Sequence, residues 1–255
     1  MAYARTTYSY HPPVARVVLN DPDRSNAPDD VMAAELRMVA ERVSEDGASI
    51  LVVSGAGSQF CVGRAALGDS FFEDPRQRLE AHRCASTLAG IPIPVIASIN
   101  GNAMDQGLEL ALACDLRVAA ENARMGITDL AQGFMPWDGG TQRLPRLVGR
   151  SLAMEMLLIG RVLDAREALN AGLVHQVVPM EDLESATAKM ADSLAGKGPI
   201  ALRYAKEAVL KGMDVPIEQG MRLEADLSIL LQGTADRAEG IASFLEKRSP
   251  RFVGR

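Results

Sequence analysis

The chain has 255 residues, a formal net charge of −6 and a mean hydropathy of +0.02. Its length can bury a sizeable core, as one large domain or a domain with an appendage. The acidic balance argues against nucleic acid as the main partner, though it leaves room for a local basic patch under a phosphorylated ligand. No apolar run is long enough to span a membrane and the N-terminus has no signal-peptide pattern. Cys61, Cys84 and Cys114 sit in apolar contexts without metal-ligand spacing. Such isolated thiols are expected to be buried small hydrophobes in a reducing cytoplasm.

Val14–Leu19 and Ser49–Ser54 are rich in β-branched residues and read as strands. Between them Met32, Leu36, Val39 and Val43 recur at helical spacing behind Asp29 and Asp30, which suit a helix N-terminus. Arg76–Leu88 reads as a second helix, Val95–Ile99 as a strand, Gln106–Ala113 as a third helix and Asp115–Ala120 as a strand. From about residue 138 the pattern is mainly helical, broken by a short strand at Leu173–Val178. Leu183, Met190 and Leu194 mark one late helix; Leu223, Leu227, Leu230 and Leu231 mark a longer one. Alternating strands and helices followed by helices alone predict an α/β body with a helical C-terminal region.

Residues 100–115 carry the chemical signal. The apolar strand Pro94–Ile99 runs into a loop holding Gly101 and Gly107, and an apolar helix bearing Glu109 follows at once. A helix start offers free backbone N–H groups to a developing negative charge. A carboxylate in the first turn of an otherwise apolar helix is costly to bury without a purpose or a partner. Oxyanion donors beside a candidate acid or base point to chemistry on a carbonyl compound. The bland reading of Glu109 is a carboxylate favoured by the helix dipole.

Several further blocks make the resemblance specific. Phe60-Cys-Val-Gly63 is followed by Pro94-Val-Ile-Ala-Ser-Ile-Asn-Gly101 with Gly107-Leu-Glu-Leu-Ala-Leu-Ala-Cys-Asp115. Gly139-Gly-Thr-Gln-Arg-Leu-Pro-Arg-Leu-Val-Gly149 and Ala165-Arg-Glu-Ala-Leu-Asn-Ala-Gly-Leu-Val174 come next. Asp236-Arg-Ala-Glu-Gly-Ile-Ala-Ser-Phe-Leu-Glu-Lys-Arg-Ser-Pro-Arg-Phe252 closes the series. In this order they resemble the crotonases, the enoyl-CoA hydratase/isomerase family, over nearly the whole chain. The resemblance implies an α/β spiral of ββα turns forming two sheets over residues 1–195, and a helical trimerisation region over residues 196–255. It implies an acyl-CoA substrate, a homotrimer or hexamer, and no metal or cofactor beyond the coenzyme A of the substrate.

By position in the motifs, the backbone N–H groups of Arg64 and Gln106 would form the oxyanion hole. Glu109 matches the first carboxylate of the hydratases. The second falls in Met125-Gly-Ile-Thr-Asp129, where hydratases carry glutamate and this chain has Asp129, shorter by one methylene. Paired carboxylates suit hydration because one can be base while the other is acid. Asp105 and Gln106 stand where the family usually has glycine. Trp137 and Asp138 replace a common Gly-Ala pair and would border the acyl pocket. Asp138 also reads as an N-cap of the helix that follows it, and Trp137 as packing of the pocket wall. Ala65 and Ala66, with Phe244 and Lys247, would meet the adenine and phosphate of CoA, and Arg24 its pyrophosphate. His82 matches, in position, a catalytic histidine of aryl-CoA dehalogenases of this family, and also reads as an ordinary helix residue. The expected function is hydratase-type addition of water to an enoyl-CoA. The alternatives are double-bond isomerisation, acyl-CoA hydrolysis, or CoA binding without catalysis, because one fold hosts many reactions.

Overall fold

The computed structural model describes residues 3–64 and 74–255. The chain opens on an antiparallel hairpin, β1 (Thr6–His11) and β2 (Val14–Leu19), followed by helix α1 (Asp30–Glu45) and β3 (Ile50–Gly55). The first strand was not anticipated: its Thr, Tyr and Ser residues give little apolar signal, and its burial alternates because only one face is covered. Helix α1 begins as its sequence suggests, with the Asp29 side chain accepting the Met32 N–H at 2.8 Å. Its buried face carries Met32, Leu36, Val39 and Val43.

The short strand β4 (Cys61–Val62) comes next. The expected helix over Arg76–Leu88 is two helices, α2 (Pro75–Ala81) and α3 (Cys84–Ala89), separated at His82 and Arg83. Then follow β5 (Val95–Ile99), β6 (Ala103–Met104), α4 (Gln106–Ala113), β7 (Leu116–Ala120) and β8 (Arg124–Gly126). The remainder is mostly helical: α5 (Gly140–Met154), β9 (Leu163–Asp164), α6 (Ala165–Asn170), β10 (Gln176–Val178), α7 (Leu183–Ala195), α8 (Pro199–Gly212), α9 (Ile217–Gln232) and α10 (Ala235–Leu245). Of the expected Leu173–Val178 strand, the ladder holds Gln176–Val178.

Two sheets result. The larger has strand order β1-β2-β3-β5-β7-β10, parallel except for the β1–β2 hairpin. The smaller has order β4-β6-β8-β9, parallel through β8 and antiparallel at β9. Strand β5 is buried along its whole length, as expected for a strand covered on both faces. The main core lies between the larger sheet and helices α1, α3 and α4, around Leu19, Leu36, Leu51, Leu88, Ile99 and Leu108. Helix α7 covers the sheet's other face, where Ala191 packs with Ile50, Val52 and Ile96. Cys61, Cys84 and Cys114 are buried free thiols.

Helix α8 is tied to this body through Lys206, whose Nζ donates to the carbonyls of Ile91 and Ile93 and pairs with Asp115 at 2.7 Å. The terminal residues fold back on α10: the Asp236 carboxylate accepts the Val253 and Gly254 N–H groups. Among the described residues no helix is long and apolar enough to cross a membrane.

Candidate active site

The smaller sheet builds the site. In its parallel register Val62 is opposite Met104, and Met104 opposite Gly126. Two residues beyond each of the first pair stand Arg64 and Gln106, and three beyond Gly126 stands Asp129. The carboxyl ends of three neighbouring strands therefore deliver the expected oxyanion residues and the second carboxylate to one edge. Gln106 opens α4, where first-turn N–H groups have no intrahelical acceptor. Helix α4 approaches β4 so closely that a Cβ on Gly107 would collide with the Cys61 carbonyl. Glycine is required there by contact, whatever the chemistry.

Glu109 lies one turn into α4 and is 2% exposed. Its Oε1 accepts the N–H groups of Asp138 at 2.9 Å and Gly140 at 2.8 Å. Burial raises the carboxyl from its ordinary 4.5 to about 7; the two N–H bonds and the Arg64 charge oppose that rise, and the Asp138 charge adds to it. Glu109 thus sits close to the value that lets one group accept and return a proton near neutrality. Gly140 has to be glycine: a Cβ would crowd Pro136, Ile127 and the Glu109 carboxylate itself.

Asp129 is also buried, and its Oδ2 forms an ion pair with the Arg64 guanidinium. The Arg64 side chain, expected only to carry a backbone donor, thus enters the site. Its guanidinium carbon lies 4.4 Å from the Trp137 ring centroid and 4.6 Å from that of Phe134, at cation–π distance. Burial pushes this arginine below its ordinary value, while the charges of Asp105 and Glu109 push it back up.

Asp105 is the second unexpected participant. Its backbone is at φ 55°, a left-handed conformation that favours glycine. Its carboxylate accepts the N–H of Thr128 at 2.6 Å, the Thr128 hydroxyl at 3.1 Å and the N–H of Asp129 at 3.1 Å. The side chain therefore anchors the segment that carries Asp129. A residue held in a sparsely populated conformation, over-determined by its surroundings, is typical of functional sites. The sequence held the signal, a carboxylate where glycine is usual, but not its partner.

Asp138 does not cap its own helix, whose N-cap is Gly139 without a side-chain bond. It caps α3 instead, accepting the N–H of Ala85, the N–H of Ser86 at 3.0 Å and the Ser86 hydroxyl. Its own N–H meanwhile holds Glu109. His82 is buried and pairs through Nε2 with Asp30 at 2.8 Å, while its carbonyl accepts from the Gln106 side chain at 3.1 Å. The structure thus binds His82 to α1 and to the start of α4. Arg24 pairs with Asp21 and Asp29. Phe244 and Lys247, at the end of α10, are exposed. No hydrogen bond or ion pair among the described residues ties their side chains to the Glu109 cluster. Ala65 and Ala66 lie outside the described residues.

This arrangement brings Arg64, Gln106 and Asp129 to one sheet edge and sets a buried, raised carboxyl, Glu109, in the first turn of α4. The family model described as enoyl-CoA hydratase/isomerase matches residues 11–255. Over 245 residues the chain is 38% identical to 2,3-dehydroadipyl-CoA hydratase of Escherichia coli, covering 95% of this chain and 96% of that one. Over 263 residues it is 35% identical to crotonyl-CoA hydratase of Syntrophomonas wolfei, covering both chains in full. The crystal structure of an enoyl-CoA hydratase from Bacillus anthracis superposes with a TM-score of 0.93 at 36% identity, over 99% of this chain and 100% of that one. The chain is a member of the enoyl-CoA hydratase/isomerase family, within the crotonase superfamily.

Proposed function

We propose that the protein is a hydratase-type lyase that adds water to, or removes it from, an acyl-CoA thioester. The observation that carries this reading is Glu109: a buried carboxyl raised to about 7 beside the paired ends of β4 and β6. The backbone N–H groups of Arg64 and Gln106 receive the thioester oxygen and stabilise the enolate; one such donor is worth roughly 3 kcal/mol in the transition state. Glu109, ionised at the start, takes a proton from water as oxygen adds to carbon 3 and returns that proton to carbon 2 of the enolate, so the elements of water add across the double bond and the carboxylate is regenerated. Asp129 orients the same water as its second carboxylate, anchored from behind by Asp105 and paired at its side with Arg64. Asp105 accepts from the Thr128 and Asp129 N–H groups directly, which holds the shorter side chain in place. Trp137 and Asp138 border the acyl pocket. Residues 65 and 66, with Phe244 and Lys247, contact the CoA portion. The reaction takes no metal or cofactor beyond that CoA. The enzyme works in the cytoplasm as a trimer or a dimer of trimers, with residues 196–255 as the assembly region.

A second reading is double-bond isomerisation with Glu109 as the only base. The Arg64–Asp129 ion pair favours it, because a carboxylate already engaged by a guanidinium is less free to handle a proton. Hydration of crotonyl-CoA, followed at the enoyl thioester absorbance, separates the two in Asp129→Asn, Glu109→Gln and the double variant. Hydration predicts losses of about a hundredfold or more in each single variant and little further loss in the double, because residues acting as a unit are non-additive. An Asp129→Asn enzyme hydrating at the wild-type rate removes the two-carboxylate mechanism.

A further inference from the structure

Three buried donor atoms at the site meet no acceptor among the described residues: Nε and Nη1 of Arg64 and Nε1 of Trp137. Buried donors are nearly always satisfied, so a group of orphans asks for an explanation. The same chain shows what a structural buried arginine looks like. Arg117, 2% exposed, gives Nε to the Leu173 carbonyl and Nη1 to the carbonyls of Ala111 and Cys114. Arg64 is less buried, with its side chain 10% exposed, yet its Nε and Nη1 are covered and only Nη2 is engaged, by Asp129. Trp137, the single tryptophan of the chain, lies against that guanidinium with its own N–H unused.

We infer that Arg64 and Trp137 read the acyl group, and that the preferred substrates carry an uncharged acceptor oxygen, a ketone or ether, in the acyl tail. This rests on the acyl-CoA reading above. Backbone N–H groups take the thioester oxygen, so these side-chain donors remain for a second oxygen further along the acyl chain. The charge balance sets the class. Asp129 pairs with the guanidinium and Asp105 adds a second carboxylate charge acting on it, so an anionic tail meets surplus negative charge, a repulsion that a neutral oxygen does not carry. Phe134 and Trp137 supply an apolar wall beside the donors for the tail's carbon atoms.

The test is calorimetric binding of saturated thioesters, which read recognition without turnover: 5-oxohexanoyl-CoA, hexanoyl-CoA and hexanedioyl-CoA, whose tail ends in one carboxylate. The oxo ligand is expected to bind about tenfold tighter than hexanoyl-CoA, the gain from satisfying buried donors. Hexanedioyl-CoA is expected to bind more weakly than the oxo ligand. Arg64→Leu and Trp137→Phe should each reduce the oxo preference to about threefold or less. Trp137→Phe keeps an aromatic ring but loses the N–H with the five-membered half of the indole; hexanoyl-CoA binding controls for the lost ring area, so this variant decides the matter if Arg64→Leu does not fold. Equal binding of oxo and plain tails, as water-filled donors would give, overturns the inference. So does a preference for the carboxylate tail, or an oxo preference that survives both substitutions. A protein that binds no CoA thioester overturns the acyl-CoA reading as well, whereas tight binding without discrimination overturns this inference alone.

Discussion

Glu109 is where the fold spends stability on a proton. Its carboxyl is raised from 4.5 to about 7, so the fold favours the neutral form. That contribution is fully present below about pH 4.5 and is lost as pH rises through about 7. Ionised above that, the group costs on the order of 3 kcal/mol relative to the unfolded chain. Glu109→Gln keeps the shape and an oxygen for the Asp138 and Gly140 N–H groups, but carries no titrating proton. Its turnover on an enoyl-CoA should fall about a hundredfold or more. The wild-type hydration profile in kcat/KM should decline below about pH 7, and the variant's residual activity should lack that limb. In urea unfolding, the wild type should lose stability relative to the variant between pH 5 and pH 8. An unchanged difference between the two proteins across that range would show that Glu109 is not the strained acid described. Arg64 teaches the complementary lesson. Its motif position foretold a backbone donor, but only the approach of β8 and the loop bearing Phe134 and Trp137 reveals what the side chain does.

At the scale of elements, Asp138 joins three helices. It precedes α5, caps α3 with its carboxylate and donates its N–H to the carboxylate on α4. Asp138→Ala would leave two buried N–H groups and the Ser86 hydroxyl without their acceptor. The expected cost is about 2 kcal/mol in urea unfolding, with a fall in turnover as the Glu109 cradle loosens. A variant with wild-type stability would show that α3 does not depend on this cap. Sequence patterning found the elements that carry their own periodicity. Helix α1 shows its apolar stripe and its Asp29 cap, and β3 and β5 are apolar stretches rich in β-branched residues. It missed β1, whose exposed face is polar, and merged α2 with α3, since His82 and Arg83 carry no turn chemistry that marks a break. The Glu109 and Asp129 positions were legible because they stand in a motif. The α3 cap by Asp138 and the Asp105 anchor were not, because each joins residues more than 20 positions apart that local pattern does not connect.

The whole molecule leaves its C-terminal helices with much apolar surface in water. Along α8 and α9, Val209, Met213, Ile217, Met221, Ile229 and Leu230 are exposed, and Phe244 and Leu245 follow on α10. The Leu223, Leu227, Leu230 and Leu231 series does not form one buried stripe: Leu227 is covered within the chain, Leu223 and Leu231 are half-buried, and Leu230 faces outward. Helices α8 and α9 pack on each other, with Gly212 and Gly220 in close approach, so the hairpin satisfies one face and presents another. Large apolar side chains exposed in such number on neighbouring helices point to an interface, and closed symmetric assembly is the usual way a chain covers such surface with copies of itself. The proposed trimer predicts a light-scattering mass of three or six chains at micromolar concentration. Ile229→Asp and Met221→Asp together place carboxylates in the middle of the exposed α9 face, remote in sequence from Glu109. They should shift the mass toward one chain while circular dichroism keeps the helical signal. A wild-type protein running cleanly as a single chain at that concentration would mean that α8–α10 cover nothing and that the assembly region is misassigned.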